Sequence, residues 1–157
     1  MNIVVREADG GDAQLLADLT RAAWADKVAP GSSGHQESAE QVLAHLQDGG
    51  GFVLLVDGAP AGSARWLPQV GEPDVWDILR IGVLPAFRGA NLSQHLVEAV
   101  IHHAQSCGVT ELRLAVRTDQ PKLLDFYTAL GFELAPELEY AHANPAQPAP
   151  WVMRKFL

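Results

Sequence analysis

Trp76-Asp77-Ile78-Leu79-Arg80-Ile81-Gly82-Val83-Leu84-Pro85-Ala86-Phe87-Arg88-Gly89-Ala90-Asn91-Leu92-Ser93 is the stretch that decides the fold. Its first half, Trp76 to Val83, is an apolar, β-rich run that predicts a strand, stopped by Leu84-Pro85. Leu92 to Cys107 then predicts the best helix of the chain, with Leu92, Leu96, Val97, Val100, Ile101 and Ala104 on one face and Gly108 placed to end it. Between them lies a tight turn containing Gly89. The first amides of a helix have no intrahelical partner, and the helix dipole makes that end mildly positive. A strand that runs through such a turn into a helix is therefore a cradle for a phosphate or pyrophosphate. Gly89 lets the backbone approach the anion closely, and Arg88 can add a charge-assisted bond. The same turn also occurs where a strand simply hands over to a helix, so the pattern alone leaves both readings open. Two other phosphate motifs are absent: there is no G-x-x-x-x-G-K-S/T and no G-x-G-x-x-G after a strand.

Upstream, Asn2 to Glu7 predicts a strand, and Leu15, Leu16, Leu19, Ala22 and Ala23 recur at helical spacing up to about Lys27. Ala29 to Gly34 strings Pro, Gly and Ser into a loop. A second helix is expected from Ser38, with Gln41 as its capping-box partner, ending at Gly49-Gly50-Gly51. Phe52–Val56 and Gly62–Leu67 predict two strands joined by Asp57-Gly58, a turn that needs positive φ. Downstream, Glu111–Arg117 alternates as a strand, Pro121–Leu130 is a short helix closed by Gly131, and Phe132–Tyr140 and Pro150–Phe156 predict two closing strands around a Pro-rich loop, Ala141 to Ala149. The order predicts one α/β (α+β) domain over residues 1–157, built on a mixed sheet.

The chain has 157 residues, of which 48 % are hydrophobic. It is long enough to bury its own core and has no apolar run of the roughly 18–20 residues needed to span a bilayer. Its N-terminus lacks the basic start and cleavage site of a signal peptide, and Cys107 is alone, so a disulfide or Cys-based metal site is not expected. A cytoplasmic protein is expected. The net charge is −8, and the 11 basic residues are scattered, which argues against a nucleic-acid partner. An acidic surface suits a cationic substrate such as an amine, or serves solubility alone.

Ile81 to Ser93 resembles the acetyl-CoA signature of the GNAT superfamily of N-acetyltransferases: a strand ending V-x-P, then Q/R-x-x-G-x-G/A opening a helix. Val83-Leu84-Pro85 and Phe87-Arg88-Gly89 carry the match. Leu124-Asp125-Phe126-Tyr127-Thr128-Ala129-Leu130-Gly131-Phe132 is similar to the family's F-Y-x-x-x-G-F, and the hairpin falls where the family has one. Ala86, Asn91 and Gln120 depart from the usual pattern; Ala86 removes one phosphate contact. The resemblance covers nearly the whole chain. It implies a mostly antiparallel sheet of about seven strands flanked by about four helices. It also implies acetyl-CoA as co-substrate, no metal, and direct acetyl transfer to a primary amine of a small molecule. A protein or peptide amine, and a non-catalytic acyl-CoA-binding module, are the alternatives. A homodimer through the closing strands is compatible with the resemblance.

The resemblance also gives the roles. Backbone groups of Ile81 and Val83 would pair with the pantetheine arm as an added strand would, with Gly82 between them also in the cofactor site. Phe87, Arg88, Gly89, Ala90, Asn91, Leu92 and Ser93 would hold the pyrophosphate, with Gln120 and Phe126 on the cofactor side; Phe126 and Phe132 also belong to the core. The amide near Val83 could polarise the thioester carbonyl. Tyr127 would protonate the departing thiolate, unless it is only a core aromatic. The acceptor poses its own problem. An alkyl amine is free at neutral pH to roughly one part in two thousand, an obstacle of about 4.6 kcal/mol. Asp77, then Asp74, are the candidate bases, with a solvated strand-start residue as the other reading of each. His35 and His142 lie in the loops that flank the acceptor site in this family. Trp24, Trp66 and Trp76 either wall that site or belong to the core. His95, His102 and His103 are expected to be solvated, since His95 and His102 lie about 10.5 Å apart along the axis and cannot share an ion.

Overall fold

The computed structural model describes residues 1–25, 37–89, 91–140, 142–143, 145–146 and 148–157. Among them, seven strands form one sheet in the order β1-β2-β3-β4-β5-β7-β6. The strands are β1 (Ile3–Glu7), β2 (Gly50–Val56), β3 (Ala59–Gln69), β4 (Glu72–Val83), β5 (Glu111–Val116), β6 (Glu133–Leu134) and β7 (Trp151–Phe156). Four helices flank them: α1 (Ala13–Trp24), α2 (Ala39–Asp48), α3 (Leu92–Ser106) and α4 (Lys122–Ala129). Every pairing is antiparallel except β4 with β5. The mixed, mostly antiparallel architecture that the family resemblance implies is the one observed. No helix of the described residues is long and apolar enough to cross a membrane.

Alternation along β2 builds both faces of the sheet. Phe52, Leu54 and Val56 point to the cluster under α3, while Val53 joins the cluster under α1 and α2. Leu96, Val97, Val100 and Ala104 of α3 are fully buried against Trp66, Ile78 and Leu112. Each large apolar side chain buried this way stabilises the fold by roughly 1.5–3 kcal/mol. On the other face, Leu16, Ala17 and Val42 are equally sealed. The β2–β3 turn has Asp57 at φ 49° and Gly58 at φ 83°, the two positive angles expected of that hairpin. Ser38 caps α2 by accepting from the Gln41 amide at 3.2 Å.

Two expectations are corrected. Gly49-Gly50-Gly51 is more than a helix stop, because Gly50 and Gly51 already belong to β2. A Cβ at Gly49 would stand 1.9 Å from the Trp66 carbonyl oxygen, and one at Gly50 would stand 2.2 Å from the Trp66 ring. The glycines let β2 approach a large indole. The strand expected over Phe132–Tyr140 shrinks to Glu133–Leu134. The Ala135 amide still donates to Val152 at 2.9 Å, but Pro136 has no amide, and the chain turns through Leu138 N to Ala135 O at 3.0 Å. That turn sends Tyr140 back across the sheet.

The parallel pair is short. Val75, Trp76 and Asp77 pair with Glu111, Leu112 and Arg113, and beyond them the strands part. β4 continues beside β3, and β5 beside β7. The splay is accompanied by a bulge: Ser63 pairs with Gly82 but Arg65 with Leu79, so β4 carries one extra residue. That residue is Arg80, at φ 54°.

Candidate active site

The splay opens a cavity of about 470 Å³ between Ile78–Val83 of β4 and Leu114–Ala115 of β5. Along this stretch β4 pairs only with β3, so the backbone groups on its other edge face the cavity without a strand partner. Ile81, Gly82 and Val83 lie on that edge. A second hollow of about 200 Å³ is lined by Phe87, Arg88, Gly89, Asn91, Leu92 and Ser93. The two share Val83, Arg88, Ser93 and Phe126, and so form one continuous cleft.

The turn into α3 follows from its residues. Pro85–Phe87 makes a 3-10 turn, Gly89 sits at φ 94° and Asn91 at φ 56°. Both angles lie in the region that disfavours ordinary side chains, which glycine and asparagine tolerate best. Among the described residues, the first amide of α3 with a backbone partner is that of Gln94, which donates to Asn91 at 3.1 Å, and the Leu92 and Ser93 amides at the helix start have none. A Cβ built at Gly89 meets nothing within 4 Å, so the space above the turn is open. Ala90 lies outside the described residues.

Arg88 is placed differently from the sequence expectation. Its Nε donates to the Val83 carbonyl at 3.2 Å and its Nη2 to the Ala23 carbonyl. The side chain thereby ties the end of α1 to the end of β4 while lining both hollows.

Tyr127, on α4, lines the cavity and is 6 % exposed. It packs edge-on against Phe126 at 5.0 Å and Phe132 at 6.0 Å. Burial raises its phenol pKa well above the ordinary value, so the hydroxyl keeps its proton. Gln120 also lines the cavity, and its amide donates to Arg117 at 2.9 Å.

Asp77 is buried one step behind the wall. Its Oδ2 lies 3.1 Å from His142 Nε2, and His142 itself lines the cavity. With its amide nitrogen turned toward the carboxylate, Gln69 donates to Asp77 at 2.6 Å. Tyr140 stands edge-on to His142 at 5.4 Å, and burial raises its phenol pKa as well. Asp74 is exposed and absent from the lining; its carbonyl accepts from the Thr110 amide at 2.8 Å. His35 lies outside the described residues.

The tryptophans divide. Trp66 and Trp76 stack at 5.4 Å within the core, and the His103 ring joins them at 5.0 and 5.8 Å rather than being solvated. Trp24 lines the cavity, with the Arg80 guanidinium over its ring at 5.8 Å.

Behind Arg80 lies a charge cluster that sequence reading missed. Glu37, fully buried, contacts Arg65 directly and Arg80 Nε at 3.3 Å. Arg65, also buried, places Nη1 3.1 Å from His45 Nδ1. Burial, then the like charge of Arg80, pulls the Arg65 pKa down. The signals of it in the sequence are Arg65 and Arg80, each a charge inside an apolar strand.

Comparison with known proteins identifies the family and the fold. The family model described as acetyltransferase (GNAT) family matches residues 16–132. A mycothiol acetyltransferase of Nocardioides sp. is 29 % identical over 139 residues, covering 80 % of this chain and 47 % of that protein. An N-acetyltransferase of Methanocaldococcus jannaschii, itself uncharacterised, is 31 % identical over 58 % of this chain and 42 % of its own length. The chain thus spans less than half the length of the curated relatives it matches. Among solved structures, the PaiA N-acetyltransferase of Thermoplasma acidophilum, in complex with coenzyme A, superposes with a TM-score of 0.78 at 18 % identity over the full length of both chains. The IAA acetyltransferase of Bacillus cereus superposes at 0.74 and 16 % identity, over 99 % of this chain and all of that one. With its family model covering most of the sequence, and the splayed strands and glycine turn in place, the chain belongs to the GNAT family of acetyltransferases.

Proposed function

We propose that the protein transfers an acetyl group from acetyl-CoA directly to the primary amine of a small molecule. The observation that carries this is the continuous cleft, which runs from the open edge of β4 to the start of α3 with Tyr127 in its wall. The residues fit the co-substrate. The β4 edge at Ile81–Val83 offers the pantetheine amides a strand-like partner, and the Gly89 turn with the Leu92 and Ser93 amides offers the pyrophosphate a cradle. Arg88 shapes that cradle by fixing the end of β4, since its guanidinium is engaged with carbonyls.

A small acceptor is favoured by the residues that cover the far end. Tyr140, His142, Ala143 and Pro148, from the β6–β7 connection, line the same cavity as Trp24 and would limit the size of an acceptor there. The acceptor enters as an ammonium and must lose a proton. His142 takes it, held in orientation by Asp77 as Gln69 holds Asp77. Asp77 thus serves as the positioning partner of the base. The free amine attacks the thioester carbon, forming the C–N bond while the Val83 amide stabilises the oxyanion. The C–S bond then breaks. Tyr127, kept protonated by burial, donates its hydroxyl proton toward the departing sulfur and regains one from the nitrogen of the new amide.

The test is release of free thiol from acetyl-CoA with pooled amines, amino acids, polyamines, aminoglycosides and short peptides. Saturable release from a small-amine pool, lowered at least tenfold by His142→Gln and less by Asp77→Asn, is the expected result. Release from peptides alone would overturn the small-molecule assignment. Tight acetyl-CoA binding with no release from any pool would identify a binding module.

A further inference from the structure

Of the three arginines that line the cleft, two are engaged in it. Arg88 donates to two carbonyls, and Arg117 forms a two-point pair with Asp119 at 3.1 and 3.0 Å. Arg80 differs. Its Nε faces Glu37 at 3.3 Å, and its Nη1 and Nη2 have no hydrogen-bond partner among the described residues. Glu37 is also the carboxylate that Arg65 contacts, so two guanidiniums share one negative charge. The other nearby carboxylate, Asp77, is occupied by His142 and Gln69.

The backbone reinforces the point. Arg80 is the bulge residue of β4, held at φ 54° where an ordinary side chain is strained. Strain of this kind persists where the surroundings over-determine it, and here its effect is to aim a guanidinium into the cavity. Glu37 fixes its inner edge and the Trp24 indole fixes its face. What remains is a preorganised fork of two N–H-bearing nitrogens in a wall that Leu79 and Tyr140 also line. A planar fork of that kind matches a carboxylate by two parallel hydrogen bonds.

We infer that the acetyl acceptor carries a carboxylate as well as its amine, and that Arg80 binds it. The acceptor class is then the amino acids, with the carboxylate on Arg80 and the amine turned toward His142. This inference rests on the transferase reading above and narrows its substrate.

The experiment compares matched acceptors: amino acids, their carboxamides, and the amines that lack the group altogether, for example phenylalanine, phenylalaninamide and phenethylamine. A charge-assisted bidentate contact predicts that the acid is preferred roughly ten- to a hundredfold in kcat/KM. In Arg80→Gln, and in Arg80→Lys, which keeps the charge but loses the fork, that ratio falls toward one. Calorimetry shows acetyl-CoA binding retained in both variants, which separates loss of the carboxylate contact from loss of the fold. Because turnover depends on the whole mechanism, binding of the same acceptors to the CoA complex is measured in parallel by thermal shift. Acids that stabilise the complex where amides do not support the inference even without turnover. Amides or plain amines used or bound as well as the acids overturn it, as does a panel of acids that is silent in both assays. An aminoalkyl phosphate or sulfonate preferred over every acid overturns it too. Failure of acetyl-CoA itself to bind would instead remove the transferase reading.

Discussion

Replacing Glu37 by glutamine removes one negative charge from between two buried guanidiniums and changes the side-chain volume hardly at all. The Glu37 side chain is 0 % exposed, Arg65 is 1 % and Arg80 is 13 %. Solvent therefore screens little of the interaction, and the small values typical of surface pairs do not apply. Taking away one partner of a buried pair leaves an uncompensated charge, at a cost of about 3–5 kcal/mol. Against a total stability of about 5–15 kcal/mol for an ordinary domain, that is a large share. For a chain of 157 residues, at about 2–4 °C per kcal/mol, the melting temperature of Glu37→Gln falls by about 6–20 °C. Urea denaturation with an unchanged slope would show that the native state, and not the unfolded ensemble, carries the loss. The same substitution made together with Arg65→Met removes one cation along with the anion, and most of the loss is then recovered. A fall of less than about 2 °C in Glu37→Gln, or no recovery in the double variant, would refute the view that this carboxylate neutralises the cluster. The substitution also frees the Arg80 guanidinium, so KM for the acceptor rises while acetyl-CoA affinity holds.

Tyr127→Phe keeps the ring packing against Phe126 and Phe132 and removes only the hydroxyl. Turnover falls roughly a hundredfold, in the range of general acid catalysis, with acetyl-CoA affinity unchanged; equal losses in both would assign Tyr127 to packing alone. Gly89→Ala places an ordinary residue at φ 94° over open space. Calorimetry should show acetyl-CoA binding about tenfold weaker, with the melting temperature lowered by only a few degrees, since a left-handed angle costs about 1–2 kcal/mol; unchanged affinity would remove the turn from the site. His45 has its pKa lowered, first by burial and then by Arg80, and its Nδ1 accepts from Arg65. The unfolded chain binds that proton near pH 6.5 and the folded chain only at lower pH, so the unfolded state holds more protons between the two values. Stability is thus full above about pH 6.5 and declines as the solution is acidified below it. Melting temperatures of His45→Gln should fall less steeply than wild type between about pH 7 and 5; parallel curves would show that His45 titrates alike in both states.

What the sequence made legible is local. The α3 face, the Asp57-Gly58 turn and the Gly89 turn each depend on residues within one or two turns of one another, and each stands as expected, while of the Ser38–Gln41 capping box the Ser38 half forms. The missed features join distant parts of the chain. His142 meets Asp77 across 65 positions and Arg65 meets His45 across 20, pairings that no periodicity encodes. Gly49 and Gly50 read as punctuation because Trp66, whose carbonyl and indole they make room for, lies on the next strand. The closing strand is shorter than Phe132–Tyr140 because Pro136, two residues past its observed end, has no amide to continue the ladder.

Arg80 lies between these two kinds of feature. Along an unbroken strand, residues 76, 78 and 80 share a face, and Trp76 and Ile78 both enter the core beneath α3. Strict alternation would therefore bury Arg80 among tryptophans and leucines, where an unpaired guanidinium is not tolerated. The extra residue in β4 resolves the conflict by changing the parity of the strand. After it, the odd-numbered Val83 joins that same core and Arg80 turns into the cleft beside Glu37. A charge at a position that alternation assigns to the core is thus a sequence-level sign of a bulge. Here the bulge also accompanies the splay of β4 from β5, so the residue that breaks the pattern belongs to the opening of the site as well as to its lining.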